Sequence, residues 1–579
     1  MSGSSLWHRP ILLPGEQVDA PPPEAPREPV SLTDQRSDLA ALLQPWRATR
    51  VVVRLTRPHL SELHKVLIAF FVVFAGLCAW QASRLELGTI DEGIILDAAQ
   101  RIVAGQRPYI DFFGYMSPGS YWIQAAVFRV FGISMWSARI PVLFDAALQC
   151  ILVFWLARTL LKTRAAIGCA AIFLWLEIWD LRMLTAQHRF DSATFALAAI
   201  ACAWQARTEN RTRWMLASGA LFAVAVVCTP ALILLLLPLI AWMAWDPATR
   251  MGIPAWIGGA AAVAAATAGA LWHEGVLNAC INQMFWLLHN YSGINVVRYG
   301  SVNGGVADLL HGGSGTEMLV RGLAVFWILI PAGIPLVGVA WAVWSLVSRP
   351  ADVRRISALV LLAACAIALL ASTAPRPDIT HLSYIVAVPF VLCFAAISGM
   401  RNRRLQGFIV VVFSLAAAIS IPAWASSVSD KAVSTPVGRV RVSGAQRQAV
   451  SALLTAVRPG DSIYVHPYLP LLYFLTQARN PTRYSYLAPG MMTEKEADDA
   501  LNALQNHPPD WILYLRIEPE SYLRVFPSAD PQRVRYPEIE RWIAAHYAPT
   551  DVAVQGYRLM RRTDGEADRA HVVNVATAR

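Results

Sequence analysis

Charged side chains are scarce in this chain, 15% of 579 residues against 56% hydrophobic ones, and that shortage excludes an ordinary soluble domain. Cysteine is scarce too. Cys78, Cys150, Cys169, Cys202, Cys228, Cys365 and Cys393 fall in strongly apolar runs, Cys280 lies between two such runs, and no cysteine follows Cys393. They read as small buried hydrophobes and not as a disulfide frame. No apolar segment of the kind that heads secreted chains precedes the first long apolar run; residues 1–64 are rich in Pro and Arg and read as a disordered tail. Walker, dinucleotide and zinc spacings are also missing. "GGVADLLHGGSG" follows no predicted strand, so its glycines imply mobility only.

What is present is a series of apolar runs long enough to cross a hydrocarbon core. About eleven spans are expected, at 65–83, 138–158, 165–181, 191–206, 213–228, 231–245, 254–272, 319–347, 356–372, 383–399 and 405–424. The two runs flanking Cys228-Thr229-Pro230 are short enough to be one broken helix. Basic residues mark alternate loops: Arg158, Lys162 and Arg164; Arg207, Arg211 and Arg213; Arg250; Arg349, Arg354 and Arg355; Arg401, Arg403 and Arg404. By the positive-inside bias these loops and the basic tail are expected in the cytoplasm, and loops 84–137, 181–190, 273–318 and 373–382 outside, together with everything after 424. The net charge of +10 is assigned to this cytoplasmic ring, with anionic membrane lipids as its partner and no nucleic acid. The expected fold class is therefore an α-helical polytopic membrane protein, 65–424, followed by a small extracytoplasmic α/β domain, 425–579.

Residues 84–137 are more than a linker. After Asp91, the residues Ile94, Ile95, Ala98, Ala99, Ile102 and Val103 recur at helical spacing and Gly105 follows as a stop, which predicts a short amphipathic helix over 91–104 lying in the membrane interface. The apolar segment 120–131 is expected to do the same. Between them the turn-rich "RPYIDFFGYMSPG" carries Asp111. On residue chemistry alone, Asp91 reads equally well as an N-cap and Asp111 as a solvated loop acid.

The succession Asp91-Glu92, Gly105, Pro108-Tyr109, Asp111, Pro118-Gly119, Tyr121, Phe131-Gly132 and Ala138-Arg139 resembles the glycosyltransferase C superfamily. These polytopic enzymes take sugars from polyprenyl-phosphate carriers and include the protein O-mannosyltransferases and the aminoarabinose transferases of lipid A. The aminoarabinose transferases place a Lys and a Pro pair after their second acid, whereas Asp111 is followed by Phe112-Phe113-Gly114, so lipid A specificity is not carried over.

The resemblance implies an inverting glycosyltransferase of the bacterial inner membrane that moves a sugar from a polyprenyl-phosphate carrier to a glycan, lipid or protein acceptor. It implies Asp91 as the base for the acceptor proton, and Asp111 either orienting the acceptor or sharing a divalent cation, Mg or Mn, with Asp91. Glu92 and Tyr109 are expected as substrate-binding neighbours. For the departing phosphate, "APRPDITHLSY" offers Arg376, Asp378 and His381, and "TAQHRFDSA" offers His188 and Arg189 beside Asp191. Headgroup snorkelling by the arginines and capping by the acids are the alternatives there. Loop 273–318, with Trp286, His289, Tyr291, Tyr299 and the glycines Gly304, Gly305, Gly312 and Gly313, suits a flexible aromatic cover or an interfacial belt.

Two other classes stay open: a transporter or flippase of a lipid-linked or small polar substrate, with Asp145 and Glu177 as the few acids inside spans, and a non-catalytic envelope assembly protein. After about residue 440 the composition becomes that of a soluble layer, with "DSIYVH", "DWILYL" and "GYRLMRR" as strands and "EKEADDALNALQNH" and "YPEIERWIAAHY" as helices. A lid or packing platform without chemistry is expected there.

Overall fold

A computed structural model describes residues 62–563 except 83–89, 180–184, 210, 292–293, 298, 300–314, 349–351, 375 and 428–430. Everything below concerns the unit that begins at Lys65. Residues 1–61 of the expected tail, and Gly304, Gly305, Gly312 and Gly313 of the expected cover, lie outside the described residues.

Among the described residues, five helices are long and apolar enough to cross a membrane: Met135–Ala157, Arg250–His273, Arg321–Ser348, Val353–Ala371 and Arg403–Ser420. The pair Ile379–Ile385 and Ala387–Ser398, bent by 77°, makes a sixth candidate when the two helices are taken as one broken span. This is fewer than the eleven expected: Lys65–Gln81, Thr212–Cys228 and Pro230–Trp245 are apolar but short for a straight crossing, and the helices Thr163–Trp179 and His188–Glu209, at the expected spans 165–181 and 191–206, do not meet the same test of length and apolarity. The break at Cys228-Thr229-Pro230 has a local cause. A residue before proline is pushed out of the helical region, and Thr229 sits at φ −143°, ψ 104°. The chain resumes as a 3-10 turn, Pro230–Leu235, and then the helix Leu236–Trp245. Small residues let the bundle close up: a Cβ on Gly219 would stand 1.9 Å from the Trp256 carbonyl oxygen, and one on Gly259 2.0 Å from that of Leu216.

The expected helix after Asp91 is present as α1 (Ile90–Val103), and the apolar segment after it as α2 (Pro118–Phe131). The apolar residues of α1 are covered by protein and not left for lipid. Ile95, Leu96, Ala98, Ala99 and Ile102 are buried in one cluster with Phe112, Tyr121 and Phe128 and with Leu471, Leu472 and Leu475 from the C-terminal segment. Gly93 marks the closest approach, since a Cβ there would stand 2.2 Å from the Leu471 amide nitrogen. Only glycine fits.

The C-terminal segment holds the hairpin β1 (Lys431–Thr435) and β2 (Gly438–Val442), then a four-stranded sheet in the order β3-β4-β6-β5. In it β3 (Ile463–His466) and β4 (Trp511–Tyr514) are parallel, while β6 (Tyr557–Arg562) runs antiparallel to both β4 and β5 (Tyr547–Val554). The strands and helices expected from the sequence are found; β1, β2 and β5 were not among them. Polar ties lock this segment onto 100–113. Arg101 donates to Ser485 Oγ at 3.0 Å, Gln477 to Gln100 Oε1 at 2.7 Å, Arg483 to the Tyr109 carbonyl at 2.9 Å, and the Phe113 amide to the Arg483 carbonyl at 2.8 Å.

Candidate active site

A cavity of about 400 Å³ opens where α1, the helix α3 (His188–Glu209), the segment around Arg376 and the C-terminal segment meet. Asp91, His188, Arg189, Asn295 and Arg376 supply its polar wall, and Tyr115, Tyr291, Tyr468, Tyr486, Tyr522 and Phe526 its aromatic one.

Asp91 sits in the first turn of α1, where the unsatisfied amides favour a carboxylate. It is exposed towards the cavity, and its carboxylate makes no hydrogen bond or ion pair among the described residues. Its negative charge acts on Arg376, Tyr291 and Tyr486. Glu92, one residue on, turns the opposite way. Fully buried, it is ion-paired with Arg139, whose Nη2 donates to Oε2 at 3.1 Å, and it accepts the Ala186 amide at 3.3 Å. Glu92 is therefore an anchor for the first turn of α1, which corrects the expected substrate contact.

Tyr109 is likewise structural. Buried and at φ 68°, it donates its hydroxyl to the Met116 carbonyl at 2.9 Å, and its ring fills the place a Cβ on Gly114 would need, 2.4 Å from Cε1. Asp111 does not reach the cavity. Its carboxylate accepts the Arg107 amide at 2.6 Å, and this bond, opposed by slight burial and helped by the Arg107 charge, holds it below the usual carboxylate range. The expected Mg or Mn site shared by Asp91 and Asp111 is therefore not assembled by this cavity, which Asp91 lines and Asp111 does not. Among the described residues no three His, Cys, Asp or Glu side chains converge as metal ligands.

Arg376, Asp378 and His381 form one unit. Asp378 caps the short helix α4 (Ile379–Ile385) by accepting the His381 amide at 2.9 Å. The same carboxylate takes Arg376 Nε and His381 Nδ1, each at 2.6 Å. Burial would raise its pKa, but the His381 hydrogen bond and the His381 and Arg376 charges keep it well below the usual range. Arg376 is held from its other edge by Asn295 Oδ1 at 3.0 Å, and its guanidinium lies 5.4 Å from the Phe526 ring centroid. Arg376 faces the cavity while Asp378 and His381 stand behind it.

His188 and Arg189 start α3. The backbone break explained above serves His188, whose Nδ1 meets Thr229 Oγ1 at 2.8 Å, and Ser117 Oγ closes the end of the interrupted helix by donating to the Cys228 carbonyl at 3.0 Å. The Arg189 guanidinium lines the cavity without a hydrogen bond or ion pair among the described residues. The site thus combines one unpaired carboxylate with one clamped and one unpaired guanidinium. Of the expected aromatic cover, Tyr291 lines the cavity, whereas Trp286 packs edge-on against Phe113, their ring centroids 5.0 Å apart. Sequence reasoning missed Thr229, Asn295 and the tyrosines of the C-terminal segment. The proline break and the Tyr-rich "RYSYLAPG" were the signals available for two of these.

The family profile described as dolichyl-phosphate-mannose-protein mannosyltransferase matches residues 116–272. Among solved structures, the chain is similar to ArnT from Cupriavidus metallidurans bound to undecaprenyl phosphate, at 13% identity and a TM-score of 0.50 over 86% of this chain and 98% of that one. The apo state of the same ArnT gives the same values. The chain has the glycosyltransferase C fold. A second protein with this similarity is the Archaeoglobus fulgidus oligosaccharyltransferase complexed with Zn and sulfate, at 12% identity and a TM-score of 0.46 over 77% of this chain and 67% of that one. A search of curated proteins by sequence gives no match. On the glycosyltransferase C fold the mannosyltransferase match covers α2 and the bundle through the Thr229 break, and so includes His188 and Arg189.

Proposed function

We propose that this chain is a membrane glycosyltransferase that moves a sugar from a polyprenyl-phosphate carrier to an extracytoplasmic glycan, lipid or protein, with inversion. The observation that carries the proposal is that Asp91, whose carboxylate has no partner among the described residues, lines one cavity with Arg376, Arg189 and His188. The acceptor hydroxyl gives its proton to the Asp91 carboxylate while its oxygen bonds to the anomeric carbon. The bond from that carbon to the phosphate oxygen breaks, and the lipid phosphate leaves with the electron pair. Arg376, pre-set by Asp378 and Asn295, and Arg189 neutralise the charge that grows on the phosphate. The ArnT structure with undecaprenyl phosphate and the mannosyltransferase profile support a lipid-phosphate donor.

On this reading the cavity lies outside the cytoplasm, in the bacterial inner membrane, with the N-terminus inside and the C-terminal segment in the periplasm, an orientation that the positive-inside bias of the basic loops supports. Transfer measured with purified Asp91→Asn protein tests it. The amide keeps the shape and helix-start role but cannot take the proton, so the rate should drop about a hundredfold or more with expression unchanged. A rate near the parent's sinks the proposal. A reporter fused after Arg579 that is active only in the cytoplasm overturns the orientation.

A further inference from the structure

Charge is unevenly spread along the C-terminal segment. From Lys431 to Gly460 the chain carries Lys431, Arg439, Arg441, Arg447 and Arg458 and no Asp or Glu; acids return only at Asp461. The hairpin β1-β2 concentrates part of this charge on one face. Its register sets Ala432 opposite Arg441 and Ser434 opposite Arg439, so both arginines project from the side away from Val433, Val440 and Val442, which are buried in the cluster that holds α1. Neither guanidinium, nor that of the exposed Arg129 in the last turn of α2, has a hydrogen bond or ion pair among the described residues. The hairpin also lies where the chain enters and leaves the apolar bundle. β1 opens just after the helix Arg403–Ser427, and the hairpin turn is tied to the start of the span Met135–Ala157, the Met135 amide donating to the Val437 carbonyl at 2.8 Å. Beside that tie stands an apolar corner, with Val130 74% and Phe131 62% exposed and Trp136 exposed as well. The Ser134 capping box, and Ser137 donating to the Gly132 carbonyl at 2.6 Å, fix the turn between them.

We infer that the arginine face of β1-β2, with the corner Arg129 to Trp136, is a docking surface for the anionic headgroups of the bilayer leaflet on the side of the C-terminal segment. The two kinds of side chain select this occupant together. A soluble polyanion would meet the arginines and leave Val130, Phe131 and Trp136 in water, and a zwitterionic leaflet would cover the corner without a net counter-charge for the guanidiniums. An anionic leaflet does both, with the apolar side chains below its phosphates and the guanidiniums level with them. Trp136 belongs to the corner and to the span alike, so the surface continues the membrane-crossing one, and tryptophan favours that boundary. None of these residues lines the cavity, and the inference does not depend on the transferase reading.

Hydrogen exchange of the full-length protein in nanodiscs tests this, because it reads the hairpin apart from the basic loops elsewhere. The discs hold phosphatidylcholine alone or with about one third phosphatidylglycerol. Amides of residues 431–442 should exchange about tenfold more slowly with phosphatidylglycerol present, and the difference should vanish near about 1 M salt. Arg439→Gln with Arg441→Gln should abolish it, and Arg439→Lys with Arg441→Lys should keep it, since the lysines retain the charge. Equal exchange in the two kinds of disc overturns the inference. So does a difference that survives the glutamine variant, or one that the lysine variant loses, which would place the effect in side-chain shape and not in charge. A slowing shared equally by the buried strand β3 marks a general tightening of the fold and overturns it as well. Polyphosphate or glycerol phosphate that protects the hairpin as strongly in phosphatidylcholine discs would make a soluble anion the occupant, against the lipid surface inferred.

Discussion

Replacing Glu92 by Gln separates an anchor from a substrate contact more sharply than any change in the cavity. The carboxylate is fully buried against an Arg139 side chain that is 2% exposed, so losing its charge leaves a guanidinium in the protein interior without its counterion. Breaking a buried pair from one side costs about 3–5 kcal/mol, more than a tenth-scale surface pair ever could. In a thermal scan of detergent-purified protein of 579 residues that corresponds to a fall in Tm of roughly 3–4 °C. The double change Glu92→Leu with Arg139→Leu removes both charges together and should recover most of the loss. Because Glu92 is adjacent to Asp91, the single variant should also lose transfer rate, but only in proportion to the unfolded fraction and to the slackening of the first turn of α1. A Glu92→Gln protein with parental Tm and a raised KM for the donor would refute the anchor assignment and restore the carboxylate as a ligand group.

Asp111→Asn should transfer sugar within about threefold of the parent, because its carboxylate is spent on the Arg107 amide; a loss as deep as that of Asp91→Asn, at equal expression, contradicts this. Arg189→Ala removes a guanidinium with no other partner among the described residues, so it should weaken binding of undecaprenyl phosphate at least about tenfold while leaving Tm unchanged; the opposite pattern marks a structural arginine. Asp378 has its pKa depressed in the fold, so its contribution is complete above the unfolded value near about 4 and is lost as pH falls towards the folded one. Lipid-phosphate affinity should therefore hold through neutral pH and decline only in acid, and Asp378→Asn, which still caps α4, should lower the neutral plateau; an unchanged plateau excludes the clamp.

Hydropathy and periodicity reveal the apolar bundle, the helix that starts beside Asp91 and most C-terminal elements, because each is set by local pattern. What stayed illegible depends on contacts distant in sequence. Nothing in the spacing of "DEGIILDAAQ" says that its apolar face meets Leu471 and not lipid, since a protein cover and a membrane interface select the same residues. Asp91 and Glu92 look interchangeable as neighbouring acids; only Arg139, 47 residues away, separates them. Asp111 carries no mark in the sequence of being tied to Arg107 four residues before it. The RPD-to-His segment was legible as a unit because its geometry is local, a cap and a clamp within six residues.

The contact at Gly93 limits how this protein can be recombined with its relatives. A side chain there would strike the Leu471 backbone, and the residue two before it carries the cavity's carboxylate. Exchanging the segment after residue 430 for a foreign one, while keeping the native stretch 90–117, would either push that turn aside or leave it unsupported. Grafts that trade the two stretches as a pair preserve the seam, so domain shuffling in this architecture should succeed only when both travel together.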